Sequence, residues 1–223
     1  ASQAALRVLL WITLKRIDQF GGCGTLGEIA LRGLLGINVR FAAAGLKTDI
    51  GSVGLAGSAA YTNTVYTVRG AGGGLASTAD GFYFVYQTLS ADGEIKARIA
   101  SMDNTSVNAR AGVMIRETLT SGSKNAFMGV SPNGTFRFQR RTSTGGSTSA
   151  SSGSTGVFPN VWIRLVRSGN SLTGYSSSNG VNWTKVASQS ISMASQIHIG
   201  VAVTSATATA LNKSVFDNVT VVP

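Results

Sequence analysis

The sequence predicts an all-β, antiparallel sandwich or barrel over residues 47–223, preceded by a short helix-like extension over residues 1–46. Three observations carry this reading. Short runs of β-branched and aromatic residues recur from Asp49 onward. Turn dipeptides separate them at hairpin spacing: Asp92-Gly93, Asn133-Gly134, Gly169-Asn170 and Asn179-Gly180 supply the positive-φ residues of tight hairpins. No helical period interrupts the series, so its strands can only pack as antiparallel layers.

Composition agrees and excludes several classes. With 43% hydrophobic and 13% charged residues in 223, the chain is too apolar for disorder and long enough for one domain plus an extension. Its 28 glycines follow no period of three, which excludes a collagen-like rod. One cysteine, Cys23, makes no internal disulfide, and one histidine, His198, leaves no His/Cys cluster for zinc. Scattered aspartates and backbone carbonyls leave room for structural calcium; no other cofactor is expected.

The extension opens with a helical pattern of about four turns from Ala4 to Ile17. Its apolar stretch, Val8 to Leu14, falls far short of the ~20 residues needed to cross a bilayer. Ala42-Ala43-Ala44 resembles a leader-cleavage context. However, Lys15, Arg16, Asp18, Glu28, Arg32 and Arg40 separate it from the apolar run. After Gly21-Gly22-Cys23-Gly24 a second apolar stretch, Ile29 to Leu35, reads as an extension packed on the main domain or another chain.

Strands are then expected at 64–70, 81–89, 94–102, 109–117, 124–131, 134–141, 161–168, 171–177, 181–187, 197–205 and 215–222. Phe82-Tyr83-Phe84-Val85-Tyr86 is apolar on both faces and belongs inside the sandwich. Residues 142–156, almost all Ser, Thr and Gly, read as a flexible loop.

Alternation sorts the remaining side chains. Val113 and Ile115, Phe136 and Phe138, and Ile163 and Leu165 face the core. Arg116, Arg137, Gln139, Arg141, Trp162 and Arg164 face the other way, and form the expected ligand-binding surface on three neighbouring strands. Indole stacks on the C–H face of a sugar ring, and guanidinium binds hydroxyl or carboxylate. The net charge of +10, with thirteen arginines among nineteen cations, points to an anionic partner bound bidentately. No lysine-rich run or nucleic-acid-binding motif accompanies it, which argues against nucleic acid.

Catalytic candidates are thin. Glu117, Glu94 and Asp80 are the best-placed acids, yet Glu117 reads more naturally as an ion-pair partner and Asp80 as a turn carboxylate. His198 points away from Ile197 and Ile199 and reads as structural or solvent-facing. Tyr175 is a further ligand candidate, whereas Trp183, alternating with Val181, reads as core.

Several segments in order resemble a known family. They are Asp49–Gly54, Thr78–Gln87, Asp92–Arg98, Ala111–Glu117, Trp162–Gly169 and Ser178–Thr184. Residues 49–223 resemble the bacterial concanavalin A-like lectin/glucanase modules, sometimes labelled regulator-of-enolase-like. The resemblance implies a jelly-roll sandwich and carbohydrate recognition in a secreted or surface protein. The chain departs from it in having Gly73-Gly74-Leu75 where members commonly carry Asp-Ile-Trp. It also lacks the Glu-x-Asp-x-x-Glu strand of jelly-roll glucanases. The expectation is therefore a non-catalytic, polysaccharide-binding module of an extracytoplasmic bacterial protein. A glycoside hydrolase or polysaccharide lyase is the first alternative, and a structural or adhesive module whose extension meets another chain is the second.

Overall fold

The computed structural model describes residues 39–40, 45–75 and 77–223. The helix expected over Ala4–Ile17 lies outside the described residues, as do Cys23 and the Ala42-Ala43-Ala44 context. The described residues contain strands and turns but no helix, and so none long and apolar enough to cross a membrane.

In chain order the strands are β1 (Val39–Arg40), β2 (Leu46–Ile50), β3 (Ser58–Thr62), β4 (Val65–Gly72), β5 (Phe82–Ser90) and β6 (Gly93–Met102). Then come β7 (Arg110–Arg116), β8 (Asn125–Val130), β9 (Thr135–Arg141), β10 (Ser149–Thr155) and β11 (Val161–Ser168). The series ends with β12 (Ser171–Ser177), β13 (Thr184–Ser190), β14 (Gln196–Thr204) and β15 (Thr207–Val222). All pair antiparallel, in two sheets. The first runs β13-β12-β11-β6-β15-β4-β3, with β1 also on β15; the second runs β10-β9-β8-β7-β14-β5-β2.

The core lies between the sheets and follows the period-two pattern. Ala111, Val113, Ile115, Met128, Phe138, Val201 and Val203 from the second sheet meet Ile95, Ile99, Val161, Ile163, Leu165 and Phe216 from the first. Each fully buried side chain of this size stabilises by about 1.5–3 kcal/mol relative to exposure. β5 is buried on both faces, as its sequence requires: Tyr83 and Val85 join this core, while Phe82, Phe84 and Tyr86 join a second apolar cluster on the outer side of the second sheet.

Turn chemistry is where expected. Gly134 has φ +81°, and a Cβ there would lie 2.0 Å from the Gly156 carbonyl oxygen, so only glycine fits. The expectation of a flexible 142–156 loop is corrected. Ser149–Thr155 is β10, an edge strand paired with β9 and held further by Arg137 on Ser152 and Arg140 on Ser151. An edge strand exposed on both faces needs no hydrophobic alternation, so a run of Ser and Thr conceals it. The short β1, β2 and β3 likewise carry too little apolar text to be read as strands.

Candidate functional site

The outer face of the second sheet is built by alternate residues of five strands. β7 presents Arg110, Gly112, Met114 and Arg116; β8 presents Asn125, Phe127 and Gly129; β9 presents Arg137, Gln139 and Arg141. β14 adds His198, Gly200 and Ala202, and β5 adds Phe82, Phe84 and Tyr86. One row across the sheet reads Ala202, Gly112, Gly129, Arg137 and Ser152. The two glycines make that row shallow. A Cβ on Gly112 or Gly129 would come 2.5 or 2.4 Å from the Phe127 ring, so glycine is what lets Phe127 lie across both strands.

At one end of this face sits a buried charge cluster. Arg141 holds Asp80 bidentately, with Nη2 to Oδ1 at 2.8 Å and Nη1 to Oδ2 at 2.9 Å. Arg116 Nη1 lies 3.5 Å from the same Oδ2, and Asn125 Nδ2 donates to it at 3.2 Å. Both guanidiniums and the carboxylate have no exposed side-chain surface. Arg141 also donates to the carbonyls of Ser77, Ser121, Ser123 and Gly146 and to the Thr148 hydroxyl, fastening three loops. Burial pulls the Arg116 pKa down to about 10, opposed by Asp80 and reinforced by Arg141, so it stays charged at neutral pH.

Beyond the cluster the same face carries polar atoms without protein partners. Arg110 Nε, Arg137 Nε, Gln139 Oε1 and His198 Nδ1 are buried and make no hydrogen bond. Gln139 spends its amide on the Leu75 carbonyl at 3.1 Å, and Arg110 spends one Nη on the Val107 and Ala109 carbonyls. Burial, then the charge of Arg137, lowers the Arg110 pKa to about 10. His198 stands edge-on to Tyr86 at 5.2 Å, and burial and the Arg116 charge lower its pKa, favouring the neutral imidazole. Unpaired buried donors and acceptors cost free energy.

This arrangement has known counterparts in shape. No protein-family profile matches the sequence, and no curated protein matches it. A functionally unknown protein from Saccharomyces cerevisiae superposes with a TM-score of 0.62 at 14% identity, covering 81% of this chain and 97% of its own. A β-1,3-1,4-glucanase (lichenase) from a mouse hindgut metagenome gives 0.51 at 8%, covering 83% and 97%. An alginate lyase from Klebsiella pneumoniae gives 0.50 at 12%, covering 82% and 96%. The fold is a jelly roll. At these identities the likeness carries the fold and nothing further.

Within the jelly roll the six expected ligand residues do not form one surface. Arg116, Arg137, Gln139 and Arg141 share the outer face of the second sheet, whereas Trp162 and Arg164 are on β11, on the outer face of the first. Strand alternation assigns a side chain to inside or outside but does not say which sheet holds the strand. Arg116 and Arg141 are also fully buried around Asp80, which lies in a loop but is enclosed and ion-paired. On the first sheet, Arg98 lies 5.9 Å from the Trp162 ring centre, and Arg164 lies 5.5 and 6.0 Å from those of Tyr175 and Trp183. Gly180, at φ +72°, brings its turn against the Trp162 indole: an added Cβ would sit 2.8 Å from the ring. Trp183 is half-buried on this surface rather than core, and Val181 is 75% exposed.

Every carboxylate among the described residues is engaged by protein. Glu117 takes Lys124 at 2.8 Å and the Ala194 N–H; burial alone would raise its pKa, but these contacts hold it below the usual range. Glu94 pairs with Arg164 and Asp217 with Arg98. Asp49, Asp92 and Asp103 accept from the backbone N–H groups of Gly57, Gly169 and Lys213. The three weak catalytic candidates thus occupy three separate ion pairs, and no cluster of three or more metal-type ligands occurs among the described residues. Arg110 was not among the expected ligand residues, and His198 was expected to be structural or solvent-facing. The signal was present in the Arg-x-Gly-x-Met-x-Arg alternation of β7, but His198 needed the β14–β7 register to join it.

Proposed function

We propose that the chain is a carbohydrate-binding jelly roll that takes an anionic polysaccharide across the outer face of its second sheet without cleaving it. One observation carries this reading: Arg110 and Arg137, each with an unpaired Nε, flank a floor levelled by Gly112 and Gly129. A carboxylate or sulfate on a sugar would accept from the Nη groups of these half-buried guanidiniums. Asp80 offsets one of the two positive charges of Arg116 and Arg141, and both side chains are fully enclosed, leaving Arg110 and Arg137 as the cations that a ligand can reach. The polysaccharide-directed names of the lichenase and alginate lyase of similar shape support the substrate class. The setting would be extracytoplasmic, where such polymers are met.

The test is mobility in native gels cast with alginate or with neutral β-glucan. We expect retardation by alginate that weakens with salt, and at least about tenfold weaker binding in the Arg110→Ala/Arg137→Ala double variant, on the magnitude of charge-assisted hydrogen bonds. Equal mobility in both gels, or an undiminished double variant, overturns the proposal.

A second reading, a β-eliminating lyase, is favoured by the His198–Tyr86 pair beside Arg116 on this same face. Neutral His198 would take the proton next to a uronate carboxylate, the C–H electron pair would form the new double bond as the C–O bond to the leaving sugar breaks, and the departing oxygen would take its proton from the Tyr86 hydroxyl. Ultraviolet absorbance of an unsaturated product from polyuronate, absent in His198→Ala, distinguishes it from binding alone.

A further inference from the structure

The edge where the two sheets approach each other holds a second, chemically different recess. β10 closes the second sheet and β13 the first, and they come close enough that a Cβ on Gly153 would sit 3.1 Å from Val186 Cγ2. Beside this contact opens a cavity of about 270 Å³, lined by Phe136, Ser154, Thr155, Asn160, Ser176 and Thr184, with Ser178 and Asn182 completing its rim. That volume is just under the range of pockets that take drug-sized ligands, so it admits one sugar ring rather than a chain.

Its chemistry contrasts with the rest of the protein. The chain carries +10, yet no lining residue is charged. The side chains of Asn160, Asn182, Ser176, Ser178 and Thr184 make no hydrogen bond to protein among the described residues, although Ser176 is only 4% exposed; the hydroxyl of Ser177, also in the lining, donates to Asn179 Oδ1. The base is Phe136, and Gly156 beside it has no side chain to cover the ring: a Cβ there would lie 3.0 Å from Phe136 Cζ. Convergent amide and hydroxyl groups above an aromatic base satisfy an uncharged ring bearing hydroxyls on its edge and C–H bonds on its face. An anion would find no countercharge here, and an apolar ligand would strand the amides.

We infer that this recess is a subsite for a single neutral pyranose, separate from the cationic face. It uses no residue of that face and stands whether or not the polyanion proposal does. Asn160 and Asn182 donate to and accept from ring hydroxyls, and the small uncovered edge of Phe136 touches the C–H side.

The experiment is a nuclear magnetic resonance titration of the intact chain with the methyl glycosides of glucose, galactose, mannose and N-acetylglucosamine. At least one should shift the amide signals of Asn160, Ser176, Ser178 and Asn182 while leaving those of Arg110 and His198 unmoved. Asn160→Ala and Asn182→Ala, both at exposed positions, should each weaken binding roughly fivefold, the worth of one hydrogen bond. Ser178→Trp at the rim should abolish it. The Arg110→Ala single variant should bind the glycoside as before, which separates this site from the cationic face. No shift with any of the four glycosides, or shifts that persist in Ser178→Trp, overturns the inference.

Discussion

The two outer faces of the sandwich use arginine in opposite ways. On the first sheet, Arg98 and Arg164 lie near aromatic rings and pair with Asp217 and Glu94 on neighbouring strands, with about a third of each arginine side chain in solvent. On the second, Arg116 and Arg141 are wholly enclosed and share one carboxylate. The first arrangement is a solvated ladder that any single loss leaves standing, because water replaces the missing partner. The second is a closed unit, since removing its one anion leaves two desolvated cations facing each other. Arginine on an outward strand position therefore says little about exposure until the loop lying over it is known.

The contrast can be broken most forcefully at Asp80. Asp80→Asn keeps the shape and removes the charge, and should cost about 3–5 kcal/mol, the measured scale for orphaning a buried ion-pair partner. For a domain of this size that lowers the melting temperature by on the order of 6–20 °C, read by calorimetry. A loss below about 1 kcal/mol would make the two faces equivalent.

The matching change on the first sheet is Glu94→Gln, for which urea denaturation should register only about 0.2–1 kcal/mol. A loss comparable to that of Asp80→Asn would erase the distinction from the other side.

The smallest effect sharpens the comparison by pH. His198, packed against Tyr86 and near Arg116, has its pKa lowered by burial and then by the Arg116 charge. The unfolded chain therefore takes up this proton first as pH falls below about 6.5. The stability contributed by keeping His198 neutral is complete above that value and is lost as pH drops toward the lower folded pKa. Urea midpoints at about pH 7.5 and 5.5 should differ more in the parent chain than in His198→Gln. Glu117 and Asp217, also lowered, lose their contributions in a more acidic window and do not blur the comparison.

Much of the fold was legible from residues alone, because a half-buried strand writes its own alternation. β11 and β12 match their expected bounds, Val161–Ser168 and Ser171–Ser177, and Phe136 and Phe138 turn inward as expected. β10 was not legible: edge serines and threonines carry no such period. The candidate site was only half legible. Facing can be counted along a strand, but whether β11 joins β7 and β9 depends on pairings across the whole chain, which placed it beside β6 instead. The burial of Asp80 depends on Arg141, sixty-one positions away, and no local pattern encodes it.

Residues 207–222 form β15, which sits inside the first sheet with β6 on one flank and β4 on the other. Until that segment has emerged from the ribosome, β4 and β6 each present an unsatisfied edge, and the sheet exists only as two halves. Assembly of this sheet must therefore wait for nearly all of residues 46–222, and the nascent chain carries sticky strand borders until residues 207–222 are made.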